Sequence, residues 1–188
     1  MTIQLAECSD EELTSLALGG RQTAYGELTR RHRDWVYRLV RSHIGDAEEA
    51  LDVTQAVFVS AFSALKRFDP TRVFRVWLAR IALNKCNDWN RRRQVRRLFT
   101  FAAPLDDAEN IADAQPDAEA TVAGAQELSR VMAAIARLPR SLREPLILRT
   151  IDERSQAETA EILAISEKAV ESRVYRARAR LQEIFKRI

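Results

Sequence analysis

Arginine is the residue type in this sequence with the clearest chemistry, because it is concentrated in two short stretches. Five arginines lie within residues 91–97 and four within residues 173–180. The planar guanidinium group presents several N–H donors that match phosphate oxygens and the major-groove edge of guanine. The formal net charge of the 188-residue chain is only +3. The clustering of the cations, and not their total, therefore indicates nucleic acid as a partner.

The second arginine cluster lies in a stretch that predicts two helices with a tight turn between them. Ser155 followed by Glu158 is a capping box, which starts a helix, and Ser166 is a good N-cap for the next helix. A short helix, a three-residue turn at 164–166 and a basic second helix are typical of a helix-turn-helix, whose second helix enters the major groove. An ordinary helix pair with a solvated arginine face has the same local pattern. The apolar residues expected to face inward are Ala157, Ala160, Leu163, Val170, Val174, Ala177 and Leu181.

The first arginine cluster follows a region whose apolar residues recur at helical spacing, without strand-like alternation. The expected helix starts are the capping box Ser9 and Glu12, then Thr23, then Asp46 and, after the turn at Asp69-Pro70, about Val73. The expected inward stripes include Leu51, Val57 and Phe58 on the third helix, and Phe74, Trp77, Leu78, Ile81 and Trp89 on the fourth, which runs to about Arg93. We therefore predict one helical domain over residues 1–97.

The rest of the chain predicts an acidic linker and a second, smaller domain. Residues 98–125 lose helical periodicity, and residues 104–127 contain acids but no Lys or Arg, which favours a solvated, partly disordered tether. Residues 126–188 begin with an expected helix from Gln126 to Leu138, with Leu128 on its apolar stripe. Ser141 with Glu144 is read as the capping box of the next helix. The predicted fold is all-α, with two small helical domains joined by a flexible acidic linker.

Several classes of function are disfavoured by composition. No apolar run approaches the roughly 20 residues needed to span a bilayer, so membrane insertion is not expected. The N-terminus lacks the form of a signal peptide, and Cys8 and Cys86 are too few for a disulfide framework, which favours a cytoplasmic protein with reduced thiols. His32 and His43 share a helix face and could form a zinc or redox site with a cysteine, but four ligands at compact spacing are absent. We predict no metal, no cofactor and, since no nucleophile–base pair or glycine-rich phosphate loop is visible, no enzyme.

Taken in order, several stretches resemble one family, the bacterial extracytoplasmic-function (ECF) sigma factors that keep only regions 2 and 4. The stretches are Leu51–Phe62, Arg67–Asp69, Phe74–Asn84, the arginine cluster at 91–97, the acidic linker, Leu138–Pro139, Arg143–Glu144, Leu148–Arg149 and the helix-turn-helix that ends Ser172–Arg178. The resemblance covers nearly the whole chain outside the first twenty residues and the linker. It implies an RNA polymerase subunit in which residues 1–97 read and open the −10 element and residues 126–188 read the −35 element.

The resemblance also implies which residues meet each partner. Residues on the third helix, off its core stripe, would dock on the clamp helices of the largest subunit of core RNA polymerase: Asp52, Gln55, Ala56 and Val59. The −10 promoter DNA would be bound by Phe68, Asp69, Arg80, Asn84, Asn87, Arg91 and Arg92. The −35 DNA would be bound by Lys168, Glu171, Ser172, Arg173, Arg176 and Arg178. Ala56 replaces an acid usual in the family, and Glu171 replaces a basic residue.

Two other classes of function remain open at this point. An autonomous helix-turn-helix regulator would act as a dimer on palindromic sites without polymerase, with the first domain as a dimerisation or sensor module. A helical interaction protein without DNA binding would keep its activity after Arg173 and Arg176 were neutralised. Within the family, such factors are commonly held inactive by an anti-sigma factor clamped between the two domains. The arrangement of the two domains does not follow from the sequence.

Overall fold

The computed structural model describes residues 4–100 and 119–186 as a helical protein without strands in those ranges. Its helices are α1 (Asp10–Leu18), α2 (Gln22–Ile44), α3 (Ala47–Ala64), α4 (Phe74–Thr100), α5 (Glu119–Ala136), α6 (Arg140–Thr150), α7 (Gln156–Leu163) and α8 (Glu167–Phe185). Single 3-10 turns precede α1 and follow α3. The all-α prediction is confirmed.

Local capping signals explain where α1 and α3 begin and where α2 ends. Ser9 forms the predicted capping box with Glu12 at the start of α1, and the Asp46 side chain accepts from the Glu49 amide at the start of α3. Gly45 ends α2 with φ of 81°, a left-handed conformation that suits glycine. The expected cap at Thr23 is wrong. Helix α2 begins one residue earlier, at Gln22, and no side chain caps it.

Helices α1 to α4 enclose an apolar core with an aromatic cluster at one end. The Phe68 ring packs against the rings of Phe74 and Trp77, at centroid distances of 5.4 and 5.1 Å. The inward position expected for Leu51 is wrong, since 61% of this residue is exposed. Val53 is buried instead, because α3 turns its Ala50–Val53–Val57 face to the core and leaves Leu51 toward a groove beside α2.

Arg31 fastens the N-terminal segment to α2. Its guanidinium donates to the backbone carbonyls of Leu5, Ala6 and Cys8 at 2.7–3.0 Å and lies 3.3 Å from the Asp10 carboxylate. A single side chain therefore satisfies three backbone carbonyls of the N-terminal segment, and it holds α1 against α2.

The second half of the described chain departs from the sequence-based boundaries at two points. Helix α5 ends at Ala136 and leaves Leu128, expected in the core, 57% exposed. The capping box expected at Ser141 is wrong, because α6 begins at Arg140 after Pro139 without a side-chain cap. Glu144 is buried and accepts from other side chains instead. Pro145 is the sixth residue of α6, so the helix lacks there the N–H that would bond to the Ser141 carbonyl one turn earlier.

The helix-turn-helix forms as its capping signals predict. Ser155 and Glu158 make a reciprocal capping box at α7, and the Ser166 side chain accepts from the Ala169 amide at α8. Ala164 adopts the left-handed conformation between them, with φ of 52°. Ala157, expected inward, is exposed, and Thr159 is buried in its place.

The predicted linker overlaps the ends of two helices. Helix α4 extends to Thr100, beyond the expected end near Arg93, and α5 begins at Glu119. The tether predicted for the intervening residues lies outside the described residues.

The two halves of the chain pack against each other. Helix α2 contacts α5 and α6, and α4 contacts α7. The buried residues of both halves belong to one hydrophobic cluster. This arrangement brings the sides of α4 and α7 together and decides which of the predicted DNA-binding residues are free.

Candidate nucleic-acid interface

Helix α8 presents a row of exposed polar and cationic side chains on the face opposite its core contacts. Its buried side is formed by Val170 and Ala177. Six residues were predicted to contact DNA, and the exposed members are Lys168, Glu171, Ser172, Arg176 and Arg178, while Arg173 is half-buried. Within the described part of the chain, none of these cations forms an ion pair with a carboxylate. The row is therefore available to phosphates and base edges.

Tyr175 belongs to the same exposed row and was missed by the sequence analysis. It is 75% exposed and lies at steps of seven and three residues from Lys168 and Ser172. The spacing could have found it, since residues three, four and seven apart share a helix face. An exposed aromatic ring among cations can contact a thymine methyl group or stack on a base.

Five of the seven residues predicted to bind −10 DNA lie on helix α4, and they differ in whether their side chains are free to contact DNA. Asn84 is exposed. Arg80 is half-buried and donates to the Glu161 carbonyl at the end of α7. The Asn87 amide donates to the Glu144 carboxylate of α6 at 2.9 Å.

Two arginines of the cluster at the far end of α4, Arg91 and Arg92, are open to solvent. Arg91 is exposed and pairs with Asp88 at 2.7 Å, and Arg92 is exposed. Arg93 lies over the Trp89 ring, 5.0 Å from its centre.

The loop between α3 and α4 is shaped by its own side chains. Phe68 is only 7% exposed, and its ring packs against those of Phe74 and Trp77. Asp69 accepts from the backbone amide and hydroxyl of Thr71 at 3.0 and 2.7 Å. Chiefly through that hydroxyl, this turn lowers the pKa of Asp69. Val73 is 57% exposed at the end of the loop.

A groove of about 730 Å³ runs between α2 and α3. Its apolar lining includes Leu51, Phe58 and Val59, and its polar rim includes Arg33 and Arg38. Of the residues predicted to bind core polymerase, Gln55 and Val59 line this groove. Asp52 and Ala56 lie on the adjoining surface beside Lys85. Val59 is 60% exposed, so an apolar surface is available to a partner.

The histidines and Cys86 have different surroundings from those a shared metal site needs. His32 lies 2.7 Å from the Asp10 carboxylate, whereas Nδ1 of His43 lies 2.9 Å from the Leu39 carbonyl. Burial lowers the pKa of His43 to about 4 and raises the pKa of Cys86 to about 12. Among the described residues no group of three or more potential ligands comes together. None of the helices in the described ranges combines the length and apolar composition that crossing a bilayer requires.

The helix-turn-helix formed by α7 and α8, together with the cationic helix α4, defines a helical DNA-binding protein with two candidate contact surfaces. A family model described as Sigma-70 region 2 matches residues 28–96, and one described as Sigma-70, region 4 matches residues 128–181. The chain is 40% identical over 181 residues to the RNA polymerase sigma factor CnrH of Cupriavidus metallidurans, covering 95% of each. It is 33% identical over 178 residues to the ECF RNA polymerase sigma factor SigM of Mycobacterium tuberculosis, covering 95% of this chain and 85% of that one. The chain belongs to the sigma-70 family of RNA polymerase sigma factors, in its ECF group.

Solved structures of sigma factors share this fold. The structure of CnrH in complex with the cytosolic domain of CnrY matches with a TM-score of 0.69 at 34% identity, covering 94% of this chain and 97% of that chain. The sigma factor RpoE in complex with the anti-sigma factor NepR from Bartonella quintana matches with a TM-score of 0.67 at 22% identity, covering 86% and 96%. The second likeness shows the fold alone.

Proposed function

We propose that this sigma factor binds core RNA polymerase, recruits it to promoters with −35 and −10 elements, and opens the −10 element. The observation that supports this best is the exposed row on α8, whose cations have no carboxylate partner in the described residues. The role is not enzymatic, because polymerase itself carries out nucleotide addition. The place of action is the cytoplasm, where polymerase meets DNA.

Residues 126–188 are assigned to the −35 element. Ser172 and Arg176, which are exposed on α8, reach base edges in the major groove, and Lys168 and Arg178 contact phosphates. Glu171 is exposed and accepts from a cytosine amino group. Half-buried Arg173 lies at the edge of the row and positions the helix on the backbone.

Residues 1–97 are assigned to the −10 element. Asn84 is exposed on α4, and we assign it, together with the loop at Phe68, to capture of a flipped base of the non-template strand. Taking a base out of the stack costs a few kcal/mol. The exposed cations Arg91 and Arg92 offset part of this cost by binding the strand's phosphates.

The groove between α2 and α3 is assigned to core polymerase. An apolar lining with Val59, polar Gln55 beside it and Asp52 on the adjoining surface suit a helical partner that is partly apolar, such as the clamp helices of the largest subunit. The connection between the two domains is assigned to residues 98–125, whose two ends belong to α4 and α5.

An anti-sigma factor is the proposed inhibitor. CnrH and RpoE, which share this fold, were both solved in complex with another protein, and for RpoE that protein is named as an anti-sigma factor. Membership of the sigma-70 family favours a sigma factor that acts with RNA polymerase over an autonomous dimeric regulator.

The function is tested by mixing the purified protein with core polymerase and a library of promoter fragments. Single-stranded thymines are then detected by permanganate. We expect melted promoters with the wild type, and a weakening of promoter binding by about 1–3 kcal/mol with Arg176→Ala. Asn84→Ala should bind but melt poorly. Arg30→Gln, an exposed cation outside both DNA surfaces, is the matched control. Melting of no fragment, or operator binding without polymerase, would refute the proposal.

A further inference from the structure

Trp89 and Arg93 form an ordered contact beside the arginine cluster of α4. Trp89 is 8% exposed, and its indole N–H donates to the Glu49 carboxylate of α3 at 2.7 Å. Burial and this hydrogen bond together fix the plane of the ring. The Arg93 guanidinium lies over the ring, 5.0 Å from its centre. Arg93 is therefore held at a defined place on α4, although it is only half-buried.

The contact with Trp89 does not neutralise the charge of Arg93. A guanidinium above an aromatic ring is attracted by the negative face of the ring, and it keeps its positive charge and its N–H donors. Arg93 forms no ion pair with a carboxylate in the part of the chain that the structure describes. Arg91, in contrast, pairs with Asp88 at 2.7 Å. Arg93 thus combines an uncompensated charge with a fixed position.

Arg92 lies on the same side of α4 as this pair. Arg92 and Arg93 follow Trp89 by three and four residues, a spacing that places side chains on one helix face, whereas Arg91 follows it by two and lies on the opposite side. Arg92 is exposed. Two neighbouring cations on one face suit the backbone of a nucleic acid, because each phosphate that they neutralise releases bound counterions.

We propose that Arg93 binds a backbone phosphate of promoter DNA, and that Trp89, held in place by Glu49, is its positioning residue. The proposal rests on the assignment of α4 to −10 DNA and adds a residue pair to it. An arginine in solvent loses side-chain freedom when it binds a phosphate, and an arginine held over a ring has lost part of that freedom beforehand. Phosphate contacts carry no sequence information, so the pair should act alike on DNA of any sequence.

The test of the phosphate contact uses the full chain and two labelled probes of random sequence. One is a duplex of about 20 base pairs and the other a single strand of about 20 nucleotides, long enough to cover a typical single-strand site. Arg93→Gln removes the charge. Arg30→Gln is its matched control, because Arg30 pairs with Glu27 at 2.8 Å on α2.

Fluorescence anisotropy gives the affinity for each probe between about 50 and 200 mM salt. We expect Arg93→Gln to weaken binding roughly tenfold, the lower end for a hydrogen bond to a charged group. The slope of log affinity against log salt should become shallower by about 0.9 on the duplex or about 0.7 on the single strand. The probe on which the slope changes identifies whether the phosphate belongs to duplex or to single-stranded DNA. Arg30→Gln should match the wild type.

The positioning role is tested with Trp89→Phe, which keeps a ring and removes the N–H that Glu49 accepts. Binding should weaken about twofold or more, because Trp attracts a cation better than Phe and the ring is no longer anchored. The salt slope should not change, since the charge of Arg93 remains. Trp35→Phe is the control: the Trp35 N–H is also bound by a carboxylate, and Arg75 lies over its ring at 4.6 Å.

A double-mutant cycle separates positioning from a purely structural role. If Trp89 acts through Arg93, Trp89→Phe has no further effect on binding in a chain that carries Arg93→Gln. Equal effects of Trp89→Phe with and without Arg93 would overturn the positioning role. Circular dichroism establishes that each variant is folded. If Trp89→Phe is not, Arg93→Lys decides: it should keep the salt slope but bind more weakly, and wild-type affinity would overturn the role.

The phosphate contact fails if Arg93→Gln leaves the salt slope unchanged on both probes, or if the wild type binds neither. None of these measurements needs polymerase or a promoter. A chain that melts promoters without a slope change in Arg93→Gln would refute only this inference, whereas failure to melt any promoter would refute the proposed function.

Discussion

The Asn87 amide and the Glu144 carboxylate are hydrogen-bonded at 2.9 Å across 57 residues of sequence. The same carboxylate oxygen accepts from Arg140 at 2.8 Å, one turn earlier on α6. Glu144 therefore serves two donors from two different halves of the chain. This double use explains why an acid expected to cap its own helix is buried at the boundary.

Replacing Glu144 should separate its two interactions. Glu144→Gln keeps an acceptor for Asn87 and should cost less than Glu144→Ala, which leaves the partly buried Asn87 amide without its partner and should cost about 1–3 kcal/mol. Urea unfolding gives both values. If the two variants unfold at the same urea concentration, the hydrogen bond to Asn87 does not stabilise the fold.

His43 should make the protein less stable in mild acid. Burial is the main reason that the pKa of His43 falls from 6.5 to about 4, with smaller contributions from Arg143 and Arg140. Because the unfolded chain binds the proton first, stability is lost as the pH falls from about 6.5 to 4, by ~2 kcal/mol at pH 5.

The assignment to His43 is checked with the chain's other histidine. Urea unfolding at pH 7 and pH 5 should show that His43→Gln removes most of the loss. His32→Gln should retain it. A loss that follows His32 instead would contradict the assignment.

Ala164→Gly should stabilise the helix-turn-helix. Ala164 ends α7 with φ of 52°, which costs a residue with a Cβ about 1–2 kcal/mol, while glycine adds up to about 1 kcal/mol of entropy to the unfolded chain. A net gain of about 0.5–1 kcal/mol in unfolding free energy is expected. Ala133→Gly, on an exposed position of α5, is the control and should lose about 1 kcal/mol. Destabilisation by both variants would show that the turn relaxes.

Cys86 should be inert in the native protein. Its thiol is fully buried, and burial raises its pKa to about 12, so the reactive thiolate is disfavoured at neutral pH. Reaction with an aromatic disulfide reagent should modify half-buried Cys8 and reach Cys86 only in denaturant. A Cys8→Ser variant isolates Cys86, and its rapid reaction without denaturant would contradict the prediction.

The helices and most of their caps could be predicted because the signals are local. Ser9, Asp46, Ser155 and Ser166 all act on amides within three residues, so no knowledge of the fold is needed. These caps depend only on neighbours along the helix. The predicted residues of the exposed row on α8 were instead implied by the family resemblance, and Tyr175, which the 3.6-residue period would have included, was missed.

The predictions that failed concern residues whose positions are determined by partners distant in the sequence. Ser141 and Glu144 match a capping box, but Asn87 from α4 and Arg140 draw the carboxylate inward. Leu51 faces a groove that exists only once α2 and α3 are packed. The hydrogen bond between Trp35 and Asp152 joins residues 117 positions apart, and no periodic pattern in the sequence reports such a pairing.

The different hydrogen bonds of the Trp35 and Trp89 indoles make Trp35 a fluorescence reporter of contact between the two halves of the chain. All three tryptophans lie in the first half of the sequence, and the Trp35 N–H is bound by a carboxylate of the other half, whereas the Trp89 N–H is bound by Glu49 of its own. Intrinsic fluorescence emission of a variant that retains Trp35 alone should therefore shift to longer wavelength when water reaches the indole. Rapid mixing with polymerase could then time domain separation during holoenzyme assembly without an attached dye.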